Sequence, residues 1–288
     1  MSDGRGTPLR DLVRRLLPGD TEPDLEAVAA REDRALDAAA IAELGLTGQP
    51  FHDHAPPDAL FADDAIDMQI NALAEQLRHG EMVPLLKGER GAGKTSQLIQ
   101  LMGRTSDEFH YFVVRGGPGA TAERTIVDML RLLVARVPDD VGACFRELAR
   151  GLRSLVADGS PAVLVVDDAD AMPDRELNRL LAAHDSLDAA LGGRFRILLA
   201  VQPDFELRIG ELTSNHLDAG HVSGIAVRPL QRPRIGPYIE HRLRAAGLQQ
   251  PLPLSDEDLD RIAEAAGGLP RHVEAAAAAL LDDRYGES

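Results

Sequence analysis

A glycine-rich loop between an apolar run and a helical pattern is the feature that most constrains this chain. Gly88, four further residues and then Gly93-Lys94-Thr95 follow the phosphate-loop spacing G-x-x-x-x-G-K-[ST]. The apolar run 82–86 precedes the loop, and apolar residues at helical spacing follow it. Glycines let successive backbone N–H groups point into one concavity, and the next helix adds its positive end. The order strand, loop, helix therefore predicts a site for nucleotide phosphates.

Two side chains of this loop have roles beyond the backbone cradle. We expect Lys94 to reach the β- and γ-phosphates and to act in catalysis, and the Thr95 hydroxyl to ligate Mg²⁺. A glycine turn without a ligand is the alternative, which the flanking strand and helix disfavour. The predicted nucleotide-binding residues of the loop are Gly88, Glu89, Arg90, Gly91, Ala92, Gly93, Lys94, Thr95 and Ser96.

An apolar strand that ends in acids is the second element that such a site needs. Residues 162–166 are all apolar, which predicts a buried parallel strand, and Asp167 and Asp168 follow directly. We expect Asp167 to hold Mg²⁺ through water and Asp168 to polarise the attacking water as a catalytic residue. The alternative is a buried strand that runs into an acidic surface turn, with Asp170 and Asp174 as more of the same surface. The upstream loop favours the metal site.

Length and cysteine content bound the class of protein. The chain has 288 residues, enough for one large domain or for one medium and one small domain. Its one cysteine, Cys144, excludes an intrachain disulfide and fits a reducing compartment. The first residues lack the apolar core of a secretory signal, and no apolar run approaches the roughly 18 residues of a transmembrane helix. We therefore expect a cytoplasmic protein, with peripheral association with the inner face of a membrane as the alternative.

The charge of the chain bears on its partners. The formal net charge is −16, which repels the phosphate backbones of nucleic acids at long range. The sequence has no tryptophan and 3% aromatic residues, so stacking surfaces for single strands are scarce. Nucleic acid is disfavoured as a partner, and a protein partner is expected.

Strand and helix patterns alternate through residues 62–230 and then give way to helices. This order predicts an α/β fold in which helices on both faces sandwich a parallel sheet, followed by a small α-helical lid domain over 231–288. Ser255 is a predicted helix cap in the lid. The predicted strands are 82–86, 109–116, 162–166, 194–204 and 223–230. The predicted helices are 62–80, the helix after the loop, 120–137, 141–157, 174–191, 234–247, 255–268 and 269–284.

The residues before 62 form two predicted segments. Residues 1–20 place five apolar side chains on one helical face and three arginines on the other, and Pro18-Gly19 stops the helix. This helix could pack on its own domain, dock on a partner protein or lie on an anionic membrane. Residues 21–61 are predicted to be a helical and loop lead-in.

Four further stretches resemble AAA+ ATPases, and among these the ExeA/GspA-type secretion ATPases and the DamX-type cell-division proteins. "GLTGQPF" at 45–51 is similar to their entry motif, and "LLAVQPDFEL" at 198–207 to their fourth strand. "RPLQRPRIGPYIEHRLRAAG" at 228–247 resembles the first part of their lid. "AAGGLPRHVEAAAAALL" at 265–281 resembles their Gly-Gly-x-Pro-Arg stretch. The transposition ATPases TniB and MuB belong to the same branch.

The resemblance implies a P-loop NTPase of the AAA+ type that uses ATP and Mg²⁺ and forms homo-oligomers. It implies that Gln202 is a catalytic sensor that touches the γ-phosphate or the attacking water. It also implies that Arg271 is the lid arginine that binds the nucleotide. Arg271 suits this role, since it opens a predicted helix after Gly267-Gly268 and guanidinium binds phosphate oxygens in a bidentate manner.

The sequence departs from the family pattern in three ways. Asp168 stands where the family usually has glutamate, and its shorter reach predicts slow hydrolysis. The segment 211–224 has no arginine that could act as a finger in a neighbouring subunit, and Arg208 is the nearest substitute. The ExeA and DamX relatives continue into a membrane helix and an envelope-side domain. We therefore expect either a part of a longer membrane protein or a soluble relative.

Three functions remain open after these observations. One is an ATP-hydrolysing switch or assembly factor for a protein complex of the cell-envelope or secretion type, in which ATP closes the lid. Another is an ATP-binding scaffold with little turnover. The third is a DNA-linked ATPase like the transposition regulators, which the charge of −16 disfavours. A GTPase and an ABC ATPase are also disfavoured, because the Asn-Lys-x-Asp and Leu-Ser-Gly-Gly-Gln motifs were not found.

Overall fold

The computed structural model describes residues 35–51, 60–205, Arg208 and 222–286. The predicted helix at 1–20 and much of the predicted lead-in at 21–61 lie outside the described residues. Over the described ranges, no helix combines the length and the apolar character that crossing a membrane requires.

The described residues fall into two compact units. The first contains the described residues of 64–89 and 94–227. The second contains the described residues of 35–63, together with 90–93 and 228–286. The second unit is therefore built from segments that are far apart in the sequence.

Helices and strands alternate along the first unit and give way to helices beyond it. In chain order the elements are α1 (Ala38–Glu43), α2 (Asp64–His79), β1 (Val83–Lys87), α3 (Lys94–Arg104), β2 (His110–Arg115), α4 (Ala122–Arg131), α5 (Val141–Leu155), β3 (Ala162–Asp167), α6 (Asp174–Ala190), β4 (Phe195–Val201), β5 (Val222–Ala226), α7 (Arg232–Ala245), α8 (Asp256–Ala266) and α9 (Pro270–Tyr285). Short 3-10 turns at Val156–Asp158 and Ala169–Ala171 stand on either side of β3.

The five strands form one parallel sheet in the order β2-β3-β4-β1-β5. The sequence prediction of a parallel sheet with flanking helices is confirmed. Because all strands run in the same direction, their carboxyl ends meet at one edge. Strand β4 lies between β1, which leads into the glycine loop, and β3, which ends at Asp167. The residue after β4 is therefore held between the loop and the acids.

Alternation along β3 decides which way its last residue points. Ala162, Leu164 and Val166 join the main core cluster, which also contains buried residues of α4, α5 and α6. Successive side chains of a strand point to opposite faces, so Asp167 lies on the other face. Helix α2 packs on β1 and on α3, and these two helices belong to that other face. Asp167 thus points to the side where the helix after the loop begins.

Pro84 lies inside β1, although proline cannot donate to a sheet ladder. Pairing of β1 with β5 includes Pro84 and Ser223, whereas pairing with β4 begins one residue later at Leu85. Pro84 therefore lies at the end of β1 that pairs with β5 but not yet with β4. The missing N–H of proline costs little stability at such a position.

The predicted helix over 120–137 is too long. Helix α4 ends at Arg131, and the N–H groups of Leu133 and Val134 turn back onto the carbonyl of Leu130. The run 132–134 is apolar, and all three side chains pack against the main core. A longer helix would have exposed part of this apolar run to solvent. The helix therefore ends early, and the run packs on the core instead.

The second unit is helical, as the sequence predicted for the region after 230. Helices α7, α8 and α9 pack on one another, and α1 packs on α9. Leu46 and Phe51 of the "GLTGQPF" stretch are buried in this unit, and Thr47 Oγ1 donates to the carbonyl of Ala246 at 3.0 Å. The stretch is thus a structural part of the helical unit.

Ser255 caps α8, which confirms the predicted cap. Its hydroxyl accepts a hydrogen bond from the N–H of Asp258 at 3.2 Å, and the Asp258 carboxylate accepts one from the N–H of Ser255 at 2.8 Å. These bonds from Ser255, with a further one from Arg284, lower the pKa of Asp258. The two reciprocal bonds satisfy N–H groups that a helix start otherwise leaves unpaired.

Removing this cap should weaken the second unit. We expect Ser255→Ala to lower the free energy of unfolding by about 1 kcal/mol, the usual cost of losing an N-cap. Urea denaturation followed by circular dichroism measures the change. Glu264→Ala, at an exposed position of the same helix, is the control and should cost less, because alanine favours helices. Equal stability of Ser255→Ala and the wild type would contradict the capping role.

Candidate nucleotide-binding site

The glycine loop has the backbone conformation that a phosphate cradle needs. Gly91 has a φ of 84° and Gly93 a φ of 95°, values that other residues rarely adopt. Lys94 begins α3, so the positive end of that helix faces the loop. The loop thus supplies both backbone donors and a helix dipole for an anion.

Lys94 is buried at 6% exposure and is held by the loop itself. Its Nζ donates to the carbonyl of Gly88 at 2.7 Å and to that of Glu89 at 3.2 Å. An ammonium group carries three donors, and these two bonds use two of them. The Lys94 ammonium is therefore held at the loop by the carbonyls of Gly88 and Glu89.

The other predicted loop residues differ in exposure. Glu89 and Arg90 have exposed side chains, whereas Ala92 is buried and Ser96 is half-buried in the first turn of α3. An exposed side chain does not restrict the backbone N–H, so Glu89 and Arg90 can contribute to phosphate binding through the main chain. This assignment stays a prediction.

Thr95 and Asp167 are joined by a short hydrogen bond. Thr95 Oγ1 donates to Asp167 Oδ2 at 2.6 Å, and the N–H of Asp168 donates to Asp167 Oδ1 at 3.1 Å. Asp167 is fully buried. Burial, with the nearby negative charge of Asp168, raises the pKa of Asp167 to about 6, although the Thr95 hydroxyl opposes the shift. The carboxylate that ends β3 is thus destabilised in its charged form.

A buried carboxylate beside a hydroxyl fits a hard cation. Mg²⁺ prefers oxygen ligands and is usually bound by one or two carboxylates together with phosphate oxygens and water. A cation would also remove the cost of burying the charge of Asp167. Thr95 and Asp167 therefore fit the predicted magnesium site. Within the described ranges, no three histidine, cysteine or acidic side chains lie close enough together to hold a metal ion.

Asp168 combines an unusual backbone with an ion pair. Its φ is 52°, the one positive φ of a non-glycine residue within the described ranges. Aspartate tolerates this left-handed conformation better than most residues. Its Oδ2 accepts hydrogen bonds from Arg115, at 3.2 Å from Nε and 3.1 Å from Nη2. A strained backbone at such a position is a mark of functional sites.

Arg115 and Gly116, which the sequence did not identify as site residues, follow from the sheet order. Strand β2 pairs with β3, so the end of β2 brings Arg115 beside the acids. A Cβ on Gly116 would lie 2.1 Å from the backbone oxygen of Asp168, and the Gly116 N–H donates to Asp167 O at 2.6 Å. The predicted strand over 109–116, which ends in Arg-Gly, was the signal that could have identified both.

Gln202 directly follows β4 and is held by Asp170. Its backbone N–H donates to Asp170 Oδ1 at 3.2 Å, and its side-chain Nε2 donates to Asp170 Oδ2 at 2.9 Å. The turn that carries Asp170 begins just after Asp168. The sequence gave Asp170 only as surface, in the alternative to the metal site, whereas the structure places it against the predicted sensor.

Arg208, the nearest substitute for an arginine finger, binds its own chain. Its guanidinium donates to the carbonyls of Asp170 and Met172 and pairs with the carboxylate of Asp174. In this conformation its donors are directed to the turn after β3 and the start of α6.

Arg271 belongs to the second unit, in which it lies beside Gly91. The N–H of Arg271 donates to the carbonyl of Gly91 at 3.3 Å, and a Cβ on Gly91 would lie 2.7 Å from the Cβ of Arg271. Pro270 begins α9 just before it. The absence of a side chain at Gly91 permits this approach.

The structure thus arranges the predicted residues in two sets. In the first set, Thr95, Asp167 and Asp168 are joined by hydrogen bonds at the end of β3, and Lys94 is held by loop carbonyls after β1. Gln202 follows β4, the strand between β1 and β3. Arg271 contacts the loop residue Gly91 within the second unit.

Known proteins support the fold of this site. Residues 77–209 match the family described as an AAA domain. This match begins in α2 and extends past Gln202, so it includes the glycine loop, both acids and the sensor position. No protein of curated function matches the sequence.

Three solved structures share the fold. Cdc6p from Pyrobaculum aerophilum is 20% identical, with a TM-score of 0.58, over 82% of this chain and 63% of that chain. The ORC1 protein of Aeropyrum pernix, solved in complex with DNA, is 18% identical, with a TM-score of 0.58, over 79% and 64%. The Walker-type ATPase paby2304 of Pyrococcus abyssi is 14% identical, with a TM-score of 0.57, over 83% and 73%.

These similarities establish the architecture. The chain spans less than two thirds of the length of the Cdc6p and ORC1 structures. At these identities the likeness concerns the fold, which is a parallel sheet with a phosphate loop and flanking helices, followed by a helical region. The chain has a P-loop fold of the AAA+ type, and residues 77–209 match the family described as an AAA domain.

Proposed function

We propose that this protein binds ATP with Mg²⁺, hydrolyses it, and uses the two nucleotide states as a switch. The observation that carries the proposal is the fully buried Asp167 carboxylate, hydrogen-bonded to Thr95 at the start of the phosphate-loop helix. Burial without a cation destabilises this charge, so its position beside a phosphate-binding loop makes sense as half of a magnesium–phosphate site.

The loop would hold the phosphates of ATP, and two side chains would hold the metal. Backbone N–H groups of 88–96 and the Lys94 ammonium bind the β- and γ-phosphates. Thr95 would supply an oxygen ligand to Mg²⁺ and Asp167 would hold the ion through water, and the bound ion would neutralise charge on the phosphates. Arg271 is proposed to bind phosphate oxygens as well, because its main chain contacts the loop at Gly91.

Hydrolysis would depend on Asp168 and Gln202. Asp168 accepts a proton from the attacking water as general base, and Gln202 helps to position that water. Arg115 pairs with Asp168 at 3.1 Å, so the base must exchange this partner for water during turnover. The shorter reach of aspartate and this ion pair both predict slow basal hydrolysis.

The output of the switch is proposed to be a protein complex of the cell-envelope or secretion type. The support is the resemblance of "GLTGQPF", the Gln202 strand and the Gly-Gly-x-Pro-Arg stretch to the ExeA/GspA and DamX branch. We further propose a cytoplasmic homo-oligomer. Arg208 is bound to its own chain, so it would have to leave these contacts to act as an arginine finger in a neighbouring subunit. The segment 1–20 is the proposed docking element for the partner.

A DNA-linked ATPase is the second candidate. The observation in its favour is that the ORC1 structure of similar fold was solved in complex with DNA. The net charge of −16 opposes it, because long-range repulsion weakens any phosphate contact. Measuring DNA binding in the presence of ATP at low and high salt separates this candidate from a protein-directed switch.

Phosphate release from ATP, measured across protein concentrations, tests the proposed activity. We expect Asp168→Asn to lower kcat by about 100-fold or more while ATP binding persists, since a general base contributes about that much. Lys94→Ala should lose ATP binding itself. The exposed Asp107→Asn is a matched control and should behave as the wild type. ATP binding by the wild type without phosphate release would instead favour the scaffold alternative.

Asp167→Asn should stabilise the nucleotide-free protein while it abolishes stabilisation by Mg²⁺-ATP. An asparagine can still accept from the N–H of Asp168 with its oxygen and donate to the Thr95 hydroxyl with its nitrogen. We expect a gain of about 1–3 kcal/mol at neutral pH, because a pKa raised by about two units costs this much. Urea denaturation without and with Mg²⁺-ATP measures both effects, with Asp107→Asn as control.

The same carboxyl gives a dependence on pH. The pKa of Asp167 is raised from 3.8 to about 6, so between these values the folded protein binds a proton that the unfolded chain releases. This group therefore makes the metal-free protein less stable as pH rises through that window. We expect the stability advantage of Asp167→Asn over the wild type to grow from about pH 4 to about pH 6 and then to level off. An advantage that is constant with pH would contradict the raised pKa.

A further inference from the structure

The carboxylate of Asp170 contacts Gln202 at two points. One oxygen accepts from the backbone N–H of Gln202 at 3.2 Å, and the other accepts from its side-chain Nε2 at 2.9 Å. The pair of bonds fixes both the position of the residue after β4 and the direction of its amide.

The turn that carries Asp170 is itself held from several sides. Ala169 is fully buried in the main core, and the N–H groups of Ala171 and Met172 donate to the carbonyls of Asp168 and Ala169 at 3.0 and 3.1 Å. Arg208 donates to the carbonyl of Asp170. The carboxylate therefore stands on a turn that contacts within the protein hold in place.

The chemistry of the pair decides which end of the amide is presented to a ligand. An ionised carboxylate has only acceptors, so the amide nitrogen of Gln202 must face Asp170 and the oxygen must face away. The opposite orientation would set the amide oxygen against a carboxylate oxygen. The orientation of the Gln202 amide thus follows from which atoms of the two side chains can donate a hydrogen bond and which can only accept one.

We infer that Asp170 is a positioning residue that turns the Gln202 amide so that its Oε1 accepts a hydrogen bond from the attacking water. The inference rests on the proposed hydrolysis of ATP. Water has two O–H donors, and two acceptors are needed to fix it for attack. Asp168 takes the proton that leaves when the water oxygen bonds to phosphorus and the bond to ADP breaks. Gln202 Oε1 accepts from the second O–H.

Asp170→Asn changes this orientation with almost no change in volume. The asparagine oxygen can still accept from the backbone N–H of Gln202, but its amino group then faces the Gln202 amide. Two amino groups repel each other, so the Gln202 amide should rotate by half a turn. Its oxygen then accepts a hydrogen bond from the amino group of the introduced asparagine. We expect kcat to fall by about 10-fold or more, as for other lost positioning contacts, and KM for ATP to stay within about twofold.

Exchanging the two functional groups should restore the acceptor. Gln202→Glu alone sets one carboxylate against another and should also lose activity. In Asp170→Asn with Gln202→Glu, the asparagine amino group donates to one glutamate oxygen, and the other oxygen is left to accept from water. The double variant keeps the net charge of the wild type, so the ATP affinities of the two proteins can be compared directly. We expect a kcat several-fold above that of either single variant, and Asp107→Asn serves as the unaffected control.

Wild-type kcat in Asp170→Asn, or a double variant no better than the singles while all bind ATP, overturns the inference. Absence of phosphate release from the wild type would overturn the proposed hydrolysis instead. In that case, NMR of the glutamine side-chain amides tests the orientation of the Gln202 amide. The Gln202 signal, identified by its loss in Gln202→Glu, should shift and exchange faster with solvent in Asp170→Asn. An unchanged signal refutes the inference even if the wild type is inactive.

Discussion

The hydrogen bond between Thr95 and Asp167 links the two halves of the site. It joins the first turn of the helix after the loop to the last residue of β3, across the carboxyl edge of the sheet. The bond exists because alternation along β3 sends Asp167 to the face opposite the main core. It leaves a charge in the interior, and the loop beside it already holds a buried lysine. Binding of Mg²⁺ and phosphate, as proposed above, would offset the cost of burying these charges.

The strand order gives each further residue its place. Because β4 is inserted between β1 and β3, Gln202 emerges between the loop and the acids, and Asp170 reaches it from the turn after β3. Because β2 lies on the other side of β3, Arg115 reaches Asp168. Gln202, Arg115 and Asp168 end or directly follow a strand, and Asp170 lies in the short turn after β3, so the sheet and not long loops positions these residues.

Much of this could be predicted from the sequence. The alternating strand and helix patterns predicted the parallel sheet, which is confirmed. The spacing of the loop predicted a phosphate site, and both signals are local in the sequence. The partnership of Asp170 with Gln202 could not be found in this way, since it depends on the register and order of strands that are distant in sequence. The early end of α4 was missed because apolar residues at 132–134 fit a helix and a packed turn equally well by spacing.

The division of the second unit has a consequence for how the chain assembles. Thr47 bonds to Ala246 across 199 positions of sequence, and Leu36, Leu44 and Phe51 share one core with α7, α8 and α9. Among the described residues, the core that these early side chains join is completed by residues after 228, so it can form fully only once those have been synthesised. The sheet, whose core lies within 83–205, can close before that. The entropic cost of closing a loop grows slowly with its length, so this long separation in sequence lowers the stability of the second unit only slightly. Its main effect is that the second unit forms late during synthesis.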